Sequence, residues 1–405
     1  MKKPVRIGLV YTGGRSWVGG ESYILNILES LKYYKDNNDV DFRYETVLCY
    51  DDFSLHDHVR NLFKAADDFQ YMETITDSIR RRDHALSILN LYIPRRIRFL
   101  KPRQRIEIFK SVGIDILYPY DFNKALLAGT HALGWIPDFQ PRVMPKYFPE
   151  DNLKIRYAIE ERIIKSAKNI VFSSEDSIND YRRFFPNSPA KPHLFHFHTI
   201  ILSSTWAINP IKTQEKYCLP DKFFICCNQF WQHKNHGDLF LSIAKLLKSQ
   251  PDAFFVFTGH THDHRMPAYF DDLLAEISKL SIRNNIAILG LIPKEDQLQL
   301  MRRSIGVIQP SLCEGWSTVV EDIRALAKPS ILSNLPVHIE QNPAKSHFFD
   351  RNDPDSLFNA ITKAWSEWKP GPNLNEEELA RIDAKQRIKM MGKNFIAIIN
   401  ETMHT

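Results

Sequence analysis

The sequence predicts an α/β protein built from two Rossmann-like domains. In each half of the chain, short apolar runs typical of buried strands alternate with amphipathic stretches typical of helices, which is the pattern of a parallel sheet covered by helices. Residues 199–220 show no strong periodicity and separate the halves, and the last helical pattern, roughly 375–402, has no strand after it. We therefore expect a first domain at 1–205, a second domain at 206–385 and a C-terminal helix at 386–405.

Length and composition are those of an ordinary soluble globular protein. The chain has 405 residues, enough for two or three domains, with 43% hydrophobic and 25% charged residues. The net charge of +5 is too small to indicate nucleic acid as a partner, and none is expected. No apolar run reaches the roughly 18 residues of a transmembrane helix. No leader-like segment precedes the first strand, so we expect a cytoplasmic protein.

The first half opens with a strand at 5–11 and a glycine-rich turn, followed by a helical pattern from Glu21 to about Tyr34. Glycines between a strand and a helix let the backbone approach phosphate groups closely. The turn does not fit the GxGxxG spacing in either register, which disfavours a nicotinamide-binding domain. Later elements are predicted at 113–119 (strand), 154–168 (helix), 169–175 (a strand entering another helix) and 194–198 (strand).

The second half repeats the alternation after the linker. Its predicted strands are 223–228, 254–258, 286–289, 306–310 and 330–332, and its helices are 236–248, 269–280 and 294–303. A further helix should start at Thr318, since Thr318 and Glu321 have the spacing of a capping box, and should end near Lys328. Such a helix start at the carboxyl end of a strand offers free N–H groups to an anion.

The segment before that helix resembles a known signature. Glu314-Gly315-Trp316, followed after five residues by Asp322, resembles the glutamate-x7-glutamate motif of retaining glycosyltransferases, in particular glycosyltransferase family 4. Asp322 replaces the second glutamate of the motif and is one methylene shorter. Pro329 also lies where the family has a proline, which places the register on Asp322 rather than on Glu321.

The resemblance implies the two-domain GT-B fold, with the two domains facing each other across a cleft and the C-terminal helix crossing back to the first domain. It implies a retaining, metal-independent transferase that moves a hexose from a GDP- or UDP-linked sugar to a glycan or a lipid-linked glycan. Mannose is the family-level guess for the sugar, and polysaccharide synthesis at the cell surface is the expected context. The alternative is a catalytically degenerate GT-B protein that binds a nucleotide sugar or a glycan as a partner subunit.

The resemblance also assigns site residues. Three residues are expected to be catalytic: Asp138, Lys234 and Glu314. The donor is expected to contact a larger set made of glycines, polar side chains and the amides at the helix start, namely Gly19, Gly20, Gln229, Lys234, Asn235, Gly290, Trp316, Ser317, Thr318 and Asp322. Two further positions differ from the family: Gln229 replaces an arginine of the diphosphate clamp, and Pro137 stands where many members carry histidine.

Several of these residues could instead have a purely structural role. Asp138 could close an Asx turn, and Lys234 could be a solvated surface lysine. The alternating histidines of 260–264 could bind zinc, but no metal site is expected.

A basic segment lies between Arg80 and Arg105. It holds nine basic residues, one acidic residue and many apolar ones. This composition suits an anionic membrane surface, so the protein could bind peripherally at the inner face of the membrane. A solvated insertion whose apolar residues pack on the first domain is the alternative.

Overall fold

The structure is a computed structural model that describes residues 3–13, 18–37, 42–50, 64–71, 113–122 and 129–404. The basic segment at 80–105 lies outside the described residues. Within them, the chain forms the two expected α/β domains and the C-terminal helix, so the predicted fold class is confirmed.

The first domain contains a parallel sheet whose described strands run in the order β3-β2-β1-β4-β5. A second parallel sheet, in the order β6-β7-β8, follows it. The strands are β1 (Val5–Val10), β2 (Tyr44–Tyr50), β3 (Asp68–Tyr71), β4 (Ile116–Tyr118), β5 (His131–Ala132), β6 (Gly134–Trp135), β7 (Asn169–Phe172) and β8 (Lys191–Leu194). The helices described in this domain are α1 (Val18–Asp36), α2 (Gln140–Val143), α3 (Glu150–Ser166) and α4 (Glu175–Phe184).

The linker is partly helical. It contains two short helices, α5 (Ser203–Trp206) and α6 (Pro210–Lys216). Pro210 lies in the first turn of α6, where its missing N–H costs no helical hydrogen bond. The domain boundary predicted between 205 and 206 falls within α5 and stays a prediction.

The second domain contains a parallel sheet in the order β11-β10-β9-β12-β13-β14 across its described strands. These strands are β9 (Phe224–Cys227), β10 (Phe255–Thr258), β11 (Ile286–Gly290), β12 (Gly306–Gln309), β13 (Ser330–Ser333) and β14 (Ser346–Phe349). The helices are α7 (His236–Leu246), α8 (Tyr269–Lys279), α9 (Lys294–Arg303), α10 (Thr318–Ala325), α11 (Pro336–Gln341) and α12 (Pro354–Glu367).

Both faces of this second sheet are buried. Along β9, Phe224 and Cys226 join one apolar cluster, while Ile225 and Cys227 join the cluster on the opposite face. Alternating burial on two faces explains why β9 reads as a continuous apolar run rather than a polar–apolar alternation. Cys226 and Cys227 are buried free thiols.

The strand order of the second domain creates a switch point between β9 and β12. Chain connections leave β9 toward one side of the sheet and β12 toward the other, so the loops after these strands diverge. In open α/β sheets, ligands bind in the crevice outside the carboxyl ends of the strands at this point. The segments after β9 and β12 are therefore the ones that build the candidate site.

The C-terminal helix crosses back to the first domain, as the resemblance implied. This helix, α13 (Leu374–His404), places Met391, Phe395 and Ile399 in the apolar cluster of the first domain. Gly392 is the point of closest approach to α1, because a Cβ built there would lie 2.6 Å from the Ser30 carbonyl oxygen. The absence of a side chain lets the two helices touch.

One strand is misplaced in the sequence prediction. The pattern at 194–198 suggested a strand, but β8 ends at Leu194 and no regular structure follows up to 200. Phe195 and Phe197 are still buried, in the cluster that also holds the aromatic side chain of Trp135. The Phe195 N–H still donates to the Phe172 carbonyl at the end of β7, and beyond it the alternating burial reflects packing in the first domain.

The packing of α13 on α1 provides a test. In Gly392→Ala, the new methyl group would also lie 2.7 Å from the Tyr34 Cβ. We expect overpacking of about 1–3 kcal/mol, only partly offset by the ~1 kcal/mol that alanine gains in a helix. The melting temperature should therefore fall. Asn394→Ala, at an exposed position of the same helix, is the matched control, and its melting temperature should not fall. Equal melting temperatures for both variants would contradict the close contact.

Candidate donor site

The site centres on an ion pair at the switch point. A 3-10 turn at Gln232–Lys234 follows β9, and Asn235 takes a left-handed conformation (φ 57°) before α7 begins. Glu314 lies in the loop between β12 and α10. Lys234 Nζ donates to Glu314 Oε1 at 2.5 Å, and the two side chains are only 14% and 10% exposed. Lys234 is therefore not a solvated surface lysine.

Glu314 is held as a carboxylate. Burial alone would raise its pKa, but the charge of Lys234, the neighbouring His338 and the hydrogen bond from Lys234 hold the pKa below its usual value. Gln309 Nε2 donates to the same Oε1 at 3.0 Å. An ionised carboxylate only accepts hydrogen bonds, which is the property needed to bind sugar hydroxyls.

Asp138 reaches the same cleft from the first domain. Gly315 packs directly on the 137–138 backbone, since a Cβ built there would lie 1.9 Å from the Pro137 carbonyl oxygen and 2.9 Å from the Asp138 Cβ. Burial raises the pKa of Asp138, and Glu314 acts in the same direction while Lys234 opposes it. The structure thus brings the three predicted catalytic residues together.

Asp138 also has the structural role that the sequence allowed, in an Asx turn. Its Oδ1 accepts a hydrogen bond from the Gln140 backbone N–H at 2.9 Å, which is the geometry of an Asx turn ahead of α2. This contact leaves the second carboxylate oxygen available, so the turn orients the side chain in the cleft.

Asp322 is buried and already has partners. It is 1% exposed, its Oδ1 accepts from Thr199 Oγ1 at 2.9 Å, and its Oδ2 accepts from Lys294. Lys294 is the first residue of α9 and directly follows the Gly290–Pro293 turn. Gly290 has φ of +68° and open space where a side chain would be.

The capping-box prediction at Thr318 is wrong. The N-cap is Ser317, whose Oγ accepts from the Val320 N–H, and α10 begins at Thr318. Glu321 instead lies between the domains. Its Oε2 accepts from His198 Nδ1 at 2.8 Å and its Oε1 from Gln341 Nε2 at 3.0 Å.

The amides at the start of α10 are only partly free. The Ser317 N–H donates to the Gln341 Oε1 at 3.2 Å, so this predicted donor-binding amide already has an acceptor in the protein. Trp316 is an anchor between domains. Its ring stacks on His196 with centroids 4.4 Å apart, and its Nε1–H donates to the Phe197 carbonyl.

The remaining predicted donor contacts are more dispersed. Gly19 and Gly20 belong to the first turn of α1 rather than to the turn before it. Gln229 lies just after β9, where Gly259 packs against its backbone N. Asn235 uses its side chain to bind Asp238 (Nδ2 to Oδ2, 2.9 Å). Their contacts with a donor stay predictions.

Sequence reasoning missed two features of the site. The first is His338 on α11, which is fully buried beside Glu314 and whose pKa burial lowers to about 4. The second is the set of contacts from His196 to Glu340 (2.6 Å) and from His198 to Glu321 across the domain boundary. No short-range pattern marks these two histidine–glutamate contacts, because in each of them the partners lie more than 100 residues apart in the chain.

The structure gives no metal-binding arrangement among the residues that it describes. His260 Nδ1 accepts from the His262 backbone N–H at 3.0 Å, and their rings are 6.4 Å apart. In the same described part of the chain, no helix has both the length and the apolar character needed to span a bilayer.

Several solved structures share the fold of this chain. Anabaena Alr3699/HepE, in complex with UDP and glucose, is 12% identical with a TM-score of 0.64, and the match covers 98% of this chain and 100% of that chain. A glycosyltransferase from Rickettsia africae is 16% identical with a TM-score of 0.61 and 99% coverage of both chains. The sucrose-phosphate synthase of Thermosynechococcus elongatus is 13% identical with a TM-score of 0.59, covering 98% of this chain and 97% of that one.

The fold is therefore that of the two-domain GT-B class. Residues 210–381, which span most of the second domain, match the family model described as "Glycosyl transferases group 1". The second domain is therefore similar to glycosyl transferases of that group. No curated protein sequence matches the chain.

The contact between Glu321 and His198 predicts a pH-dependent stability difference. Burial opposes ionisation of Glu321, but His198, Arg324 and Gln341 hold its pKa below 4.5. The ionised form should therefore stabilise the fold above pH 4.5, and that stability should be lost as the pH falls through the lower folded pKa. At pH 7, Glu321→Gln should cost about 3 kcal/mol, as expected for breaking a buried pair.

Thermal unfolding of wild type and Glu321→Gln between pH 7 and pH 3 checks this expectation. The gap in melting temperature should hold down to about pH 4.5 and narrow below it. Glu215→Gln, at an exposed position of α6, is the control and should show no gap. A constant gap for Glu321→Gln would mean that its charge is not the stabilising feature.

Proposed function

We propose that this chain transfers a hexose from a nucleoside diphosphate sugar to a glycan or lipid-linked glycan acceptor. The observation that carries the proposal is the buried pair of Lys234 and Glu314 at the switch point, facing Asp138 of the first domain. A cation and a carboxylate in a shielded cleft suit the two halves of a sugar nucleotide, the diphosphate and the sugar hydroxyls.

The chemistry follows from the charges. As the bond between the anomeric carbon and the phosphate oxygen breaks, negative charge grows on the diphosphate. Lys234 would leave Glu314 to neutralise that charge, helped by the N-terminal end of α10. Glu314 would then accept hydrogen bonds from the sugar. The acceptor oxygen bonds to the anomeric carbon on the same face, and its proton passes to the leaving phosphate oxygen.

The donor is proposed as a UDP- or GDP-linked hexose. Anabaena HepE has been crystallised with UDP-glucose, which makes UDP-glucose the first donor to test. GDP-mannose is the second, since mannose is what the resemblance favours. We place Asp322 at the ribose hydroxyls and Gly290 at the base, as the resemblance to family 4 implies; a Cβ built at Gly290 would meet no atom within 4 Å.

The acceptor is proposed as a growing cell-surface polysaccharide, reached from the cytoplasmic side. If the acceptor is lipid-linked, the enzyme would work at the inner membrane face. The basic composition of residues 80–105 is the support for that location.

Lys234→Met tests the role of the cation. Turnover with the better of the two donors should fall about 10²-fold or more, by analogy with the loss of one charge-stabilising donor. Lys216→Met is the matched control, because Lys216 is an exposed lysine that is also paired with a carboxylate, Asp296, at 2.6 Å. Control turnover should stay at the wild-type level.

Three measurements decide the proposal. Hydrolysis and transfer are followed by release of the nucleoside diphosphate, product configuration by NMR of the anomeric proton, and folding by thermal melting. Normal turnover in Lys234→Met would remove the proposed role. Donor binding by the wild type with no turnover for any tested acceptor would favour the partner-subunit alternative.

A further inference from the structure

The second domain contains a cavity that the donor site does not use. Its volume is about 500 Å³, and it is lined by residues ahead of β13, by the start of β14 and by the segment 368–373 that joins α12 to α13. We propose that this cavity binds a small phosphorylated ligand, with Lys328 and Lys369 at the phosphate group and the Trp368 ring against the body of the ligand. Such a site would be additional to the donor site.

The cavity lies at the opposite edge of the sheet from the donor site. Lys328 and Pro329 directly precede β13, and Arg302 lies in the last turn of α9, ahead of β12. Lys234 and Glu314 instead follow β9 and β12. All these strands are parallel, so the length of β12 separates the two places. A ligand in the cavity would therefore not compete with a nucleotide sugar.

Lys328 is a buried cation whose hydrogen bonds are incomplete. The residue is 6% exposed, and its Nζ donates to the Arg302 carbonyl at 3.0 Å and to the Ser304 carbonyl. An ammonium group has three N–H donors, so one remains after these two contacts. The carboxylate of Glu377 attracts this charge, but both of its oxygens already accept from Arg302, at 2.9 and 2.8 Å.

The charge of Lys328 is also incompletely balanced. Burial lowers its pKa to about 7; Glu377 opposes that shift, whereas Arg303, Arg302 and Lys345 add to it. A buried charge is costly unless it is paired and hydrogen-bonded. An anion in the cavity would supply both the missing charge and an acceptor for the third N–H.

Basic side chains outnumber acidic ones along the cavity. Two of the basic residues are already paired with carboxylates, Arg302 with Glu377 and Lys345 with Glu376. Lys369 also lines the cavity and is exposed, so its ammonium group is available to a ligand. A phosphate group has several strong acceptor oxygens, and lysine binds it as a point charge.

Gly371 leaves room beside the buried ammonium group. A Cβ built at this position would lie 3.0 Å from Lys328 Nζ and 2.1 Å from the Arg302 carbonyl oxygen. Any side chain here would therefore crowd the group that is proposed to meet the phosphate.

The body of the ligand would meet an apolar wall. Trp368 lines the cavity and is held in place, because its ring covers Gly306, where a Cβ would lie 2.3 Å from the ring, and its centroid is 5.2 Å from that of His347. Leu326 and Pro329 line the same cavity. Small-molecule sites typically combine such walls with a few placed polar groups in roughly 300–1,000 Å³. A hexose phosphate has the matching parts, an anion and a compact body with a C–H face.

Calorimetric titration with glucose 6-phosphate tests the proposal, with inorganic phosphate and glucose as the two halves of that probe. The wild type should bind glucose 6-phosphate, inorganic phosphate more weakly and glucose not detectably. Lys369→Met should weaken glucose 6-phosphate binding about tenfold, as expected for losing a hydrogen bond from a charged group. Lys363→Met, at an exposed position of α12, is the matched control and should leave the affinity unchanged.

Two further variants locate the binding. Lys328→Met should abolish it, and thermal melting is followed because this change also removes two contacts to carbonyls; Lys369→Met, at an exposed position, keeps the test valid if Lys328→Met unfolds. Lys234→Met removes the donor-site cation and should leave glucose 6-phosphate binding unchanged. Binding lost in Lys234→Met but kept in Lys369→Met would place the phosphate in the donor site and overturn the proposal. A wild type that binds neither phosphate probe would overturn it too, without touching the proposed sugar transfer.

Discussion

The buried ion pair of Lys234 and Glu314 is the constraint around which the second domain is arranged. Removing two charges from water costs several kcal/mol per ion, and the cost is recovered only with good geometry and further hydrogen bonds. Gln309 provides such a bond from the end of β12, and Lys234 comes from the turn after β9. The adjacency of β9 and β12 in the sheet is what makes this geometry possible. The doubly wound strand order is thus directly tied to the charge arrangement of the site.

The contact between domains completes the site. Gly315 has no side chain, so its loop packs on Pro137 and holds Asp138 near the ion pair. Trp316 fastens the same loop to the first domain through His196 and the Phe197 carbonyl. Next to it, Thr199 binds Asp322. Residues of the signature motif therefore serve two purposes, because they line the crevice and connect the domains.

Two errors of the sequence interpretation have physical reasons. Ser317 and Thr318 are both good N-cap residues, and the glutamate at 321 favoured Thr318 by spacing alone. In the structure the Glu321 carboxylate accepts hydrogen bonds from His198 and Gln341, so it does not bond to the backbone at the N-terminus of α10. The alternation at 194–198 similarly predicted a strand, but β8 ends at Leu194 and its pairing with β7 extends only to the Phe195 N–H, which donates to the Phe172 carbonyl. Phe195 and Phe197 are buried by packing in the first domain.

The sequence by itself determined the fold class and the position of most helices and strands in the second domain, and it predicts the register of the motif from Glu314 to Asp322. These depend on local patterns: apolar periodicity, the glycine at 315 and the spacing to Pro329. The tertiary structure alone decided the partners of each charge. Lys294 and Asp322 are 28 residues apart, Lys234 and Glu314 are 80 apart, and His198 and Glu321 are 123 apart. Such contacts arise from strand order and domain packing, and a pattern read along the chain contains neither.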